Sequence, residues 1–158
     1  MAFALVGSIW LLALSSLLMP LAIGSSFTAI RVRVREYYVL LLLLQVGLSG
    51  VFCALDLLLF YVFFEFTLVP LFFLIGIWGG PDRRRAANKF FIYTITGSVL
   101  TFAGVVYLAY SAYTATGTLT LNLVTPTEMG RQGAIPFHVQ WWLFLAFAAG
   151  FAVKVPLF

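Results

Sequence analysis

Five apolar runs, at roughly 3–24, 37–55, 57–79, 90–113 and 141–158, decide what this chain can fold into. A helix needs ~20 apolar residues to cross a ~30 Å hydrocarbon core, and each run approaches or exceeds that length. Little is left over to fold in water, since 63% of the 158 residues are hydrophobic and 9% are charged. The mean hydropathy of +1.09 lies well outside the range of soluble domains. The expectation is an all-α fold: a polytopic transmembrane helix bundle of about five spanning helices, a single transmembrane domain over 1–158. The first run is a span rather than a secretory leader, because no basic segment precedes it and "SSLLMPLAIGSS" carries Pro20 in place of a cleavage site.

The nine basic residues are concentrated. "RVRVRE" supplies Arg31, Arg33 and Arg35, and "PDRRRAANK" supplies Arg83, Arg84, Arg85 and Lys89. Two spans separate these loops, so both face one side, which the positive-inside rule makes the cytoplasm or the mitochondrial matrix. The chain's net charge of +4, with seven of nine basic residues in two short loops, does not form the basic face that nucleic-acid binding requires. Cys53 is the only cysteine and His138 the only histidine, which leaves neither an internal disulfide nor a metal site of those two residue types. Spans two and three meet around Leu55 and Asp56, predicting a tight antiparallel hairpin. The stretch 114–140 reads as a surface loop holding Glu128, Arg131 and His138, flanked by an aromatic belt of Tyr107, Tyr110, Tyr113, Trp141 and Trp142.

The informative residues are those that cost energy in a membrane. Within "FYVFFEFTLVPLF", Glu65 costs ~2.5 to 3.5 kcal/mol on insertion scales and is a functional candidate by default. Pro70 has no N–H and leaves the Phe66 carbonyl without its intrahelical donor, so a kink or polar contact is expected beside Glu65. At about 100° per residue, Leu68, Val69, Phe72 and Gly76 share the Glu65 face, and Gly76 admits a close neighbour there. Lys154 sits beside Pro156, which strips Ala152 of its donor. Two readings stay open for it: a lysine that snorkels to the inner surface, or a buried cation working with Glu65, each altering the other's proton affinity. Two weaker features are the Gln45, Ser49, Phe52 and Asp56 stripe, a candidate hydration path, and the Tyr93, Gly97, Thr101 and Gly104 face, which reads as helix packing ahead of transport.

At "LDLLLFYVFFEFTLVPLFFLIGIWGG", "RRRAANKFFIYTITGS" and "FAVKVP" the chain closely resembles the subunit 4 family of respiratory NADH:ubiquinone oxidoreductase, complex I, equivalent to bacterial subunit M. The likeness covers roughly residues 6–158, and these blocks resemble mitochondrial members more than bacterial ones, with an alphaproteobacterial member as the alternative expectation. It implies an antiporter-like subunit, whose family has about fourteen helices with inverted repeats, and assigns the five runs to helices three to seven. It also implies that Glu65 is the helix-five glutamate facing the neighbouring antiporter-like subunit, and that Lys154 is the lysine of broken helix seven whose pairing with it gates proton transfer.

The resemblance further implies membership of a proton-translocating reductase with no redox centre in this chain. NADH, FMN, iron–sulfur clusters and ubiquinone then belong to partner subunits. The expected location is the mitochondrial inner membrane, multi-pass, or a bacterial plasma membrane, with loops 31–36 and 81–89 on the matrix or cytoplasmic side. "VGSI" at 6–9 departs from the family's usual Val-Asp-Gly-Ile and lacks its acidic residue. The family's first two helices, its helix eight and its second repeat have no counterpart among these residues, so the expectation is a truncated subunit or one piece of a split one, a second chain supplying the rest. The competing expectations are a subunit of a multisubunit cation/proton antiporter and a structural membrane subunit with no complete proton path.

Overall fold

A computed structural model describes residues 2–117, 124–131, 133 and 135–155. They form seven helices: α1 (Ala2–Ser26), α2 (Val34–Cys53), α3 (Leu57–Phe66), α4 (Leu68–Trp78), α5 (Arg83–Thr116), α6 (Val124–Arg131) and α7 (Phe137–Lys154). No strand occurs among the described residues. Five segments are long and apolar enough to cross a membrane: Gly7–Ser26, Val34–Cys53, Leu57–Trp78, Arg83–Ala115 and Phe137–Lys154. The third combines α3 and α4. The chain divides into two compact units, one of residues up to Ala54 with Leu59–Phe91, the other of Leu55–Leu58 with the chain from Ile92 onward.

In the first unit, α1, α2 and the α3–α4 span pack side by side. The α2 and α3–α4 pair is antiparallel, because Gly50 seats the Phe63 ring while Gly47, three residues earlier, sits beside Phe66 and Thr67 further along. Ala54 and Leu55 make the turn, and Asp56 accepts a hydrogen bond from the Leu58 N–H at 2.9 Å, satisfying one of the orphan donors that open α3. At the other end the two polar turnarounds are tied together: the Trp78 indole donates to the Val32 carbonyl at 2.8 Å, and the Tyr37 ring meets Trp78 edge-on with centroids 5.2 Å apart. Loops 27–33 and 79–82 therefore lie at the same end of this unit, as the two-span separation of the basic clusters requires.

The second unit is held by α5 against α7. Gly104 faces Phe147, Gly97 faces Val153, and the Thr101 hydroxyl occupies the place where Gly150 would carry its Cβ. The sums of paired residue numbers stay nearly constant, so the two helices run antiparallel, and the small-residue face of α5 is indeed a packing face. Thr94, Ser98, Thr101 and Val105 are all buried along it.

Two boundaries differ from those read in the sequence. Arg83, Arg84, Arg85 and Lys89 lie on the first two turns of α5 rather than in a loop. Pro81 cannot continue α4, Asp82 offers the cap position with its carbonyl accepting from the Ala86 N–H at 2.9 Å, and no helix breaker follows. Hydropathy marks where hydrocarbon begins, and a helix can start earlier. The 114–140 stretch is also more ordered than a surface loop, because α5 runs to Thr116 and α6 and the first turn of α7 fall inside it. Met129 of α6 and Ile135 pack on Ala112 of α5, with Leu108 and Val139 beside them. Arg131 in the last turn complements the helix dipole. Residues 118–123 of that stretch lie outside the described residues.

The α5–α7 contact predicts an asymmetry between two glycines. In Gly150→Ala the new methyl meets both the Thr101 hydroxyl and the Gly97 carbonyl, so the helices must part at a cost of ~1 to 3 kcal/mol. In Gly76→Ala the methyl meets Ala87 at an ordinary 3.5 Å and helix propensity improves. The midpoint temperature of thermal inactivation of the detergent-purified assembly should fall for the first variant and hold or rise for the second.

Candidate functional site

The environment of Glu65 is built by the break between α3 and α4. Pro70, buried, provides no N–H for the Phe66 carbonyl, and the helix is interrupted at Thr67. Flanking hydrogen bonds survive: the Thr67 N–H donates to Phe63 at 3.3 Å and the Leu71 N–H to Thr67 at 3.4 Å. The Thr67 hydroxyl turns back to the Phe64 carbonyl at 2.8 Å. Such back-bonding satisfies the hydroxyl in an apolar setting and favours bending. The expected disturbance beside Glu65 is therefore present, and it is local.

Glu65 itself is partly buried, with its Oε1 atom shielded from solvent. Tyr61, one turn earlier on α3, lies within electrostatic reach of the carboxylate. Of the residues sharing its face, Leu68 is buried and Phe72 packs on Phe91 at 5.2 Å, while Val69 stays exposed. Gly47 and Gly50 of α2 make room for Thr67, Phe66 and Phe63 around the break. Sequence reasoning did not single out these two glycines, although "VGLSG" sets them three residues apart on one helix face. Nor did it find the partner of Gln45, whose amide lies 3.5 Å from the hydroxyls of both Ser15 and Ser16 on α1. That places the first residue of the α2 stripe in the α1–α2 seam.

Lys154 is the last residue of α7 and partly buried. The Val155 N–H closes the helix on the Phe151 carbonyl at 2.9 Å. Val153, the residue before Lys154, faces Gly97, and the next residue of α5, Ser98, is buried with its hydroxyl donating to the Thr94 carbonyl at 2.9 Å. Thr101, with no exposed surface, has a buried hydroxyl without a hydrogen bond among the described residues. Pro156 lies outside the described residues, so the expected loss of the Ala152 donor does too. Glu65 belongs to the first unit and Lys154 to the second. His138 and Cys53 are exposed.

An ionisable residue embedded in a spanning helix, as Glu65 is beside its helix break, is the kind of residue that marks functional positions in membrane proteins. Residues 54–158 match the family described as NADH:quinone oxidoreductase/Mrp antiporter, transmembrane. The chain belongs to this family. It is 44% identical to NADH-quinone oxidoreductase subunit M of Rhodobacter capsulatus, over 95% of this chain and 30% of that protein. It is 41% identical to NADH-ubiquinone oxidoreductase chain 4 of Prototheca wickerhamii, over 95% of the chain and 27% of the relative. A third relative, the F(420)H(2) dehydrogenase subunit M of Methanosarcina mazei, is 37% identical over 94% of the chain and 30% of its own length. The chain thus spans under a third of the length of these relatives.

If Pro70 causes the break, Pro70→Ala supplies the missing donor and closes the α3–α4 span into one helix. Hydrogen–deuterium exchange over Phe66–Leu71 should slow relative to the parent protein. Unchanged exchange would assign the break to the Thr67 hydroxyl or to packing from α2.

Proposed function

We propose that the chain forms part of a proton-translocating, antiporter-like membrane subunit of a quinone-reducing NADH dehydrogenase, working through the charge states of Glu65 and Lys154. The observation that carries this reading is the likeness to NADH-quinone, NADH-ubiquinone and F(420)H(2) dehydrogenase subunits at 37 to 44% identity. The electron donor named differs among these relatives while the matched stretch stays similar. Donor chemistry therefore belongs elsewhere, and what the stretch shares is the membrane machinery. On this reading NADH, FMN, iron–sulfur clusters and ubiquinone are held by partner subunits, and the neighbours are other membrane-arm subunits, a further antiporter-like one among them. The membrane is the mitochondrial inner or bacterial plasma membrane, with the basic turnarounds on the matrix or cytoplasmic side.

The physical step is a change in proton affinity. A carboxylate and an ammonium that approach stabilise each other's charged forms, and when they separate the glutamate's affinity for a proton rises and the lysine's falls. Quinone reduction elsewhere would drive that change of separation. The Thr67 break seats Glu65 beside an interrupted helix turn, and the small residues aligned between α5 and α7 seat Lys154 at the end of a close helix contact.

In the assembled enzyme, Glu65→Gln and Lys154→Ala should each lower the protons moved per electron pair while NADH oxidation and assembly persist. Proton uptake into proteoliposomes measured against NADH consumption tests this. An unchanged ratio in both variants would leave a structural subunit instead. The family description also names antiporters, and sodium-dependent proton exchange without NADH oxidation would identify the chain as one.

A further inference from the structure

A groove of about 570 Å³ opens in the first unit between α2 and α4. Its floor is apolar, made by Val39 and Leu40 of α2 and by Phe73 and Ile77 of α4, and its rim is polar, made by Arg33, Arg35 and Glu36. Val39 is 55% and Phe73 45% exposed, so the floor is open to whatever surrounds the span. Glu36 is ion-paired with Arg33. The acid of the rim is thereby engaged with one of its two cations, and Arg35 carries the surplus charge.

The wider field has the same sign. The two turnarounds that Trp78 and Val32 tie together, with the opening turns of α2 and α5 that follow them, hold seven basic residues against Glu36 and Asp82, a net +5. Tyr37 and Trp78 stand at this same end, where amphipathic rings favour the headgroup level of a bilayer. Along α2, Arg33 to Leu40 rises roughly 10 Å, from the polar turnaround into the apolar span.

We propose that this groove binds one anionic phospholipid, its phosphate on the Arg35 guanidinium and the upper part of one acyl chain along Val39, Leu40, Phe73 and Ile77. The guanidinium fork matches phosphate oxygens bidentately, and a basic pocket between spanning helices at the cytoplasmic level suits an acidic headgroup. A neighbouring protein helix would cover the floor and still leave the Arg35 charge to be met. An anionic lipid brings the phosphate and the apolar chain in one molecule. The inference stands apart from proton transfer and uses neither Glu65 nor Lys154.

The test uses the whole membrane assembly in phosphatidylcholine nanodiscs containing a minor fraction of photo-crosslinkable phosphatidylglycerol, with labelled peptides mapped by mass spectrometry. The expected result is labelling within 33–40 and 73–77 that resists excess inorganic phosphate. One basic residue near the surface corresponds to about a fivefold change in affinity, so Arg35→Gln should reduce labelling about fivefold while Arg35→Lys retains much of it. Val39→Trp fills the floor with Arg35 intact, and should reduce labelling as well. Equal labelling by a phosphatidylcholine probe, indifference to Arg35→Gln in the folded assembly, displacement by inorganic phosphate, or cross-linking of the groove to another polypeptide would each overturn the proposal.

Discussion

Inside hydrocarbon a backbone carbonyl has no water to turn to, and every other feature of this chain follows from how that demand is met. Five helical spans meet it along almost their whole length. Among the described residues Pro20 takes the donor of the Ser16 carbonyl in α1 and Pro70 that of the Phe66 carbonyl, and at Pro70 the helix break is limited to one residue. Helical hydrogen bonds resume on both sides of Thr67, and the Thr67 hydroxyl is itself satisfied by the Phe64 carbonyl. The break falls next to the one acidic side chain in that span. A costly backbone feature and a costly side chain are thus gathered into the same turn, where Gly47 and Gly50 of α2 give the aromatic neighbours room.

Association of such helices has little hydrophobic drive in lipid, so close approach must come from small residues and from hydroxyls that satisfy themselves. Ser15, Ser26, Thr67, Thr96 and Ser98 all donate to carbonyls three or four residues earlier in their own helices. These groups add polarity at no cost in unpaired donors. Where described helices are linked by hydrogen bonds, one link lies at a polar end, from the Trp78 indole to the Val32 carbonyl, and another lies mid-span, where the Gln45 amide reaches the Ser15 and Ser16 hydroxyls.

Much of this architecture was legible in the sequence, because hydropathy over ~20 residues and the covalent chemistry of proline are both local properties. The five spans, the break beside Glu65 and the packing face of α5 needed no knowledge of neighbours. What stayed hidden depends on contacts distant along the chain. The eight residues of α6 carry no long apolar period and are held by Met129 against Ala112. The Gln45 amide lies beside hydroxyls about thirty positions away, and the Trp78 indole donates to a carbonyl forty-six positions away. Lys154 is the opposite case. Its residue type and position near a span end fit snorkelling equally well, and only the likeness to a known family singled it out.

The Thr101 hydroxyl seated where Gly150 lacks a Cβ also acts as a depth gauge. Sliding α7 by one residue along its axis would move it about 1.5 Å and turn it about 100°, presenting Ala149 or Phe151 to that hydroxyl. Neither has the notch. The peg therefore indexes α7 against α5 at a single step of its screw, and with it the level across the membrane at which the Lys154 charge sits, four residues further on.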